Sequence, residues 1–211
     1  MNKIIQEKKN TRFCFFDAET ENLTLHECNN KPWQISWIIV DNFTTVKEYD
    51  YYLKWPEGLN VSKGAAIATR FDQSIVDNRG VPPLEAVKLL DASLKECDYV
   101  VGHNILGFDA YILMAMYRKL GLKPYNIYPK SLDTFALAKA WKLEQPPKTG
   151  DNITAWQLRL LHKRTKEFKL NLGALGREFE IDHDYSQLHN ALVDLRLNAK
   201  VFNKLRKIFS L

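Results

Sequence analysis

The chain has 211 residues, 45% hydrophobic and 26% charged, values that exclude bulk disorder and leave room for one sizeable core. No run approaches the roughly 18 uninterrupted apolar residues of a membrane span, and the opening MNKIIQEKKNTR has no apolar signal core, so a cytoplasmic protein without a membrane partner is expected. A net charge of +5 and a pI near 9.0 permit a nucleic-acid partner without demanding one.

Residues 12–18, RFCFFDA, are apolar and aromatic, as a buried strand requires. Residues 33–40 and 46–53 read as two further strands, and Asp41-Asn42 between them as the turn of an antiparallel hairpin. Residues 60–70 look like a short helix. Pro82-Pro83 opens the next helix, where Leu84, Val87, Leu90 and Leu94 recur at helical spacing over 84–96. Tyr99-Val100-Val101 is a short strand running into Gly102-His103-Asn104. A helix over 108–120 is stopped by Gly121, and a short strand at 129–133 precedes a helix at 134–142. The breaker-rich 144–152 forms a loop. Residues 153–163 and 170–179 read as helices, and 189–208 as a long terminal one with apolar Leu192, Leu195, Ala199, Phe202 and Leu205. This order predicts an α/β fold: a mixed sheet of about five strands, the first three antiparallel, flanked by helices. No repeat or linker divides the chain, so one domain over 1–211 with a core at about 12–209 is expected.

The cysteines, Cys14, Cys28 and Cys97, are odd in number and widely spaced, with no C-x-x-C zinc pattern. Cys14 and Cys97 read as buried small residues in a reducing compartment. His26-x-Cys28 is the one spacing that could hold part of a metal site.

Three segments place acids at strand ends and helix starts. Asp17 and Glu19 stand two apart at the end of the first strand, so both point to one face; acids at strand ends are also common turn residues. Asp109 follows His103-Asn104-Ile105-Leu106-Gly107-Phe108 at a helix start, where an acid can equally be a cap or a dipole partner. His189 and Asp194 are five apart, about 140° on an ideal helix. To share a pocket with Asp194, His189 must sit at or before the helix start.

The ordered pieces F-x-D-x-E-T, H-N-x-x-F-D and H-N-A-L-x-D resemble the three exonuclease motifs of the DnaQ-like proofreading family, in its DEDDh branch. Leu132-Asp133-Thr134 is similar to that family's L-D-T, and Leu172-Gly173-Ala174-Leu175 to its short helix before the last motif. The resemblance runs from about Arg12 to Phe209. Thr20-Glu21-Asn22-Leu23 stands where the family has T-T-G-L, with asparagine expected to take over the glycine's left-handed turn. Ala68-Thr69-Arg70-Phe71 stands where it often has I-H-G-I, and no nucleotide contact is carried over there.

The resemblance implies a ribonuclease H-like fold and a 3′→5′ exonuclease with Asp17, Glu19, Asp109, His189 and Asp194 as its catalytic set. Four converging carboxylates repel, each like pair at 4 Å by about 4 kcal/mol at an effective dielectric of 20. Two divalent ions, Mg²⁺ or Mn²⁺, would neutralise Asp17, Glu19, Asp109 and Asp194, since all-oxygen donors suit these metals. His189 has the ordinary pKa for a general base near neutrality, and the products would be nucleoside 5′-monophosphates. Thr20, Leu23, Asn104 and Phe108 are candidate substrate contacts; Asn104 is as readily a turn residue, and Phe108 a core residue. Lys163, Arg164 and Lys166 form a basic run that could grip a strand or face solvent. The expected substrate is the 3′ end of single-stranded DNA. RNA trimming, a polymerase-bound proofreading subunit, and an inactive nucleic-acid-binding module are the competing readings.

Overall fold

The structure, a computed structural model, describes residues 11–25, 30–42, 44–165, 167–188 and 190–209. His26, Cys28, Lys166 and His189 lie outside the described residues. Five strands form one mixed sheet in the order β3-β2-β1-β4-β5: β1 (Arg12–Thr20), β2 (Pro32–Asp41), β3 (Thr44–Tyr52), β4 (Tyr99–Gly102) and β5 (Ser131–Asp133). The β1–β2 and β2–β3 pairs are antiparallel; β1–β4 and β4–β5 are parallel. This is the ribonuclease H-like α/β arrangement expected from the sequence.

β1 is central and apolar on both faces, as a strand covered by helices on each side must be. Phe13 and Phe15 join Ile38, Val40, Val101 and Leu132 in one core layer. That layer packs under α5 (Thr134–Lys142), α6 (Ile153–His162), α7 (Leu172–Glu178) and α8 (Ala191–Phe209). Cys14, Phe16 and Ala18 point the other way, with Ile35, Trp37 and Val100, under α3 (Pro83–Glu96) and α4 (Asp109–Lys119). Cys14 and Cys97 are both buried as free thiols. β3 closes one edge, and its exposed Lys47 and Glu48 discourage pairing with another sheet.

Several boundaries differ from the sequence reading, each for a local reason. β1 continues through Thr20, ending in a register shift between Glu19 and Thr20. The helix expected over 60–70 is α1 (Lys63–Thr69), and a further helix not expected from the sequence, α2 (Gln73–Arg79), follows it. Arg70 turns left-handed between them at φ 53°, and Asp72 caps α2 by accepting from the Ser74 N–H. The strand expected from 129 starts only at Ser131, after a 3₁₀ turn over Tyr128–Lys130. α8 starts at Ala191, where the Asn190 carboxamide accepts from the Leu192 and Val193 N–H groups. Among the described residues no helix is long and apolar enough to cross a membrane.

Candidate active site

The carboxyl ends of the parallel strands β1 and β4 lie side by side, the usual place for a site in an open α/β sheet. β1 delivers Asp17 and Glu19 to the α8 side of the sheet, while Ala18 between them is buried on the other. Asp194 comes from the first turn of α8, its N–H donating to Asn190 O at 2.9 Å. Asp109 opens α4 yet does not serve as its cap. Its Oδ1 instead accepts the Ala18 N–H at 3.1 Å, across 91 residues, which ties α4 to β1.

These four carboxylates feel one another. Burial, and then the charge of Asp194, lift the Asp17 carboxyl to about 7. Burial, then Asp17 and Asp194, lift Glu19 to about 9. Burial and then Asp17 push Asp109 well above the ordinary range, against the opposing pull of N–H donors that include Ala18. Asp17 and Glu19 thus feel the charge of Asp194 from α8, and Asp109 on α4 feels theirs.

Oxygen-only donors in a poorly solvated pocket suit a hard divalent cation such as Mg²⁺ or Mn²⁺. Among the described residues no group of three or more Asp, Glu, His or Cys side chains is placed so that it could hold a metal ion. The donor chemistry suits a divalent cation, while the side chains as placed do not enclose one.

The loop after β1 is held by Glu21, which the sequence reading noted only as a departure from T-T-G-L. Glu21 is buried; its carboxylate accepts the Asn60 N–H at 2.5 Å and the Lys31 N–H at 3.2 Å, and pairs with the Lys31 ammonium at 3.3 Å. Its own backbone bonds to Lys31 O and to the Ser62 N–H. Asn22 is not left-handed, contrary to the expected turn. Its N–H donates to Asn30 Oδ1 and its carbonyl accepts from Thr20 Oγ1 and Asn30 Nδ2, so side chains secure the bend in place of a special backbone angle.

The candidate substrate contacts divide. Leu23 is 55% exposed beyond the motif and available to a ligand. Thr20 is buried, its hydroxyl donating to Asn22 O at 2.6 Å. Asn104 is exposed and left-handed at φ 64°, and its Oδ1 sits where a Cβ on Gly107 would come within 2.3 Å. Phe108 packs against the core under α3 and α4. Lys163 and Arg164 are exposed. His103 is held neutral, its pKa pushed down to about 4 by burial, with Nδ1 3.1 Å from Thr134 Oγ1.

No family model and no curated protein sequence matches the chain. Solved structures do. Apo exonuclease I aligns at a TM-score of 0.71 with 18% identity, over 94% of this chain and 42% of that one. E. coli exonuclease I bound to a dT13 oligonucleotide aligns at 0.73 with 15% identity, over 95% and 43%. The zinc-bound form of the E. coli exonuclease I–ssDNA complex aligns at 0.73 with 19% identity, over 94% and 40%. The chain thus spans about two fifths of the length of these proteins and shares their fold.

Proposed function

We propose that this chain is a 3′→5′ exonuclease domain that hydrolyses single-stranded DNA from its 3′ end with the help of divalent metal. One observation carries the reading: β1, α4 and α8 contribute Asp17 and Glu19, buried Asp109, and Asp194, and the charges of Asp17 and Asp194 help raise the carboxyls of their neighbours. A pure binding module gains nothing from that repulsion, whereas a metal-dependent phosphodiesterase requires it. The likeness to exonuclease I, solved with single-stranded oligonucleotides, supports DNA as the substrate.

In this reading Asp17, Glu19, Asp109 and Asp194 hold two Mg²⁺ or Mn²⁺ ions. The ions supply charge neutralisation of the scissile phosphate and a lowered pKa for the attacking water. His189, assigned from the sequence, takes that water's proton on an imidazole nitrogen as the water oxygen bonds to phosphorus. The bond from phosphorus to the 3′ oxygen of the preceding nucleotide breaks, and a nucleoside 5′-monophosphate leaves. Exposed Leu23 would meet the terminal nucleotide as an apolar wedge.

The test is hydrolysis of matched DNA and RNA oligomers, each 3′-labelled, with Mg²⁺, with Mn²⁺ and with chelator. Release of labelled mononucleotide from DNA, abolished by chelator and by Asp17→Ala or Asp194→Ala in folded protein, is expected. Faster release from RNA would reassign the substrate. No release from either, with no Mn²⁺ bound in calorimetry, would leave the binding-module reading.

A further inference from the structure

Asp133 is fully buried at the end of β5, outside the acidic cluster, and its carboxylate accepts four backbone N–H groups. Two, from Phe135 and Ala136 at 3.0 and 3.1 Å, cap α5. The other two come from a different segment: Asn104 N–H to Oδ1 at 3.1 Å and Leu106 N–H to Oδ2 at 3.0 Å. Behind it, buried Gln157 accepts the Asp133 N–H at 2.7 Å and donates to Ser131 O at 3.0 Å, so the carboxylate sits on a fixed base.

The segment it grips leads to Asp109. Asn104 O accepts from the Gly107 and Phe108 N–H groups, and Ile105 O from that of Ala110. Asn104 in this turn holds a left-handed backbone at φ 64°, an angle few non-glycine residues adopt. Such angles persist only where surrounding bonds over-determine them. Thr134 adds a parallel tie, its Oγ1 donating to Gly102 O at 3.2 Å.

We propose that Asp133 is a positioning residue that sets Asp109 against Asp17 and Glu19 by clamping the Asn104–Phe108 turn. The proposal rests on the nuclease reading of Asp109 as a metal ligand. A cap needs only the two α5 bonds; the clamp needs a carboxylate long enough to reach Asn104 and Leu106 as well. Serine caps a helix as well as aspartate does but is one atom shorter. Asparagine keeps Oδ1 and turns an N–H₂ against the Leu106 N–H.

The test compares Asp133→Ser and Asp133→Asn with the unchanged protein and with Val87→Ala, a core change in α3, on the far side of the sheet from α5. Mn²⁺ affinity is read by electron paramagnetic resonance, beside kcat and KM on a DNA oligomer. Removing a group that orients a metal ligand costs roughly 10–100-fold in affinity, so a loss of about tenfold is expected in both Asp133 variants, with kcat falling in step and KM steady. Val87→Ala should lower the melting temperature and leave Mn²⁺ affinity alone. Folded Asp133 variants that bind Mn²⁺ within about twofold of the unchanged protein would overturn the proposal alone. Failure of both to fold would reduce Asp133 to a purely structural role. An unchanged protein that neither binds Mn²⁺ nor cleaves DNA would overturn the nuclease reading beneath it.

Discussion

Replacing Asp17 by asparagine should stabilise the metal-free protein while abolishing its activity. The Asp17 carboxyl is raised from 3.8 to about 7 by burial and by Asp194. Between those values the folded state holds a proton that the unfolded chain has lost, so stability falls as pH rises from about 4 to about 7 and levels off above. At about 1.4 kcal/mol per pKa unit the full shift is worth roughly 4 kcal/mol. Asp17 is half-buried, and the repulsion is shared with Asp194, so about 2 kcal/mol is the figure expected of Asp17→Asn at pH 8. For a chain of this size that is a melting temperature higher by about 4–8 °C in EDTA at pH 8. The gap should shrink towards pH 4 and close below it, where the wild-type carboxyl is protonated in both states. Mg²⁺ should reverse the order, because ion binding to the folded state stabilises wild type by about 2.7 kcal/mol at a hundredfold excess over Kd. Circular dichroism melts at four pH values, with EDTA and with Mg²⁺, read all of this. A metal-free Asp17→Asn no more stable than wild type at pH 8 would refute the reasoning, since the carboxylate would then carry no burial or repulsion cost.

Glu21→Ala should cost about 3 kcal/mol, because it strips a buried carboxylate from Lys31 and from two backbone donors; an unchanged urea midpoint would contradict the anchor role. Gly102→Ala would place a Cβ 2.7 Å from Ile105 Cβ and 3.0 Å from Phe16 O, at the base of the turn leading to Asp109. A loss of about 1–3 kcal/mol is expected, with kcat falling as the turn shifts, and wild-type melting and turnover together would exclude that crowding. His189→Ala should slow cleavage by about 10²–10⁴-fold, the usual share of a positioned base, and full activity in the pure variant would remove the assignment.

The central strand is legible because Phe13 to Phe16 form an unbroken apolar run, and Asp17 and Glu19 stand two apart where it ends. The five-strand sheet followed from the same kind of local signal. α2 was missed because residues 73–79 carry only Ile75 and Val76 as apolar positions, too few to show a period, although Asp72 and Gly80 bracket it as cap and stop. Taken alone, Asp109 reads more readily as a cap than as a catalyst; the bond to Ala18, 91 residues away, decides against a mere cap. Glu21 and Asp133 show the limit from the other side. Each looks like an ordinary loop acid or helix cap in its own stretch of chain. What distinguishes them is a set of N–H donors 10 to 39 residues away, which no local pattern records.

The acids of this site fall into two kinds, set apart by what their oxygens meet. Asp17, Glu19 and Asp109 have raised pKa values, so each weakens the metal-free fold at neutral pH. Glu21 and Asp133 are also buried, and burial lifts the Asp133 carboxyl to about 6, but their oxygens are filled by backbone N–H groups that oppose such a shift at Asp133, and each joins two chain segments. The first kind can be tolerated because the second kind keeps the loops on either side from relaxing away from the repulsion. Conservative changes should therefore act in opposite directions: amides at the repelling acids stabilise the fold, and amides at the bridging acids loosen it. A site in which both kinds responded alike would not be built on this division.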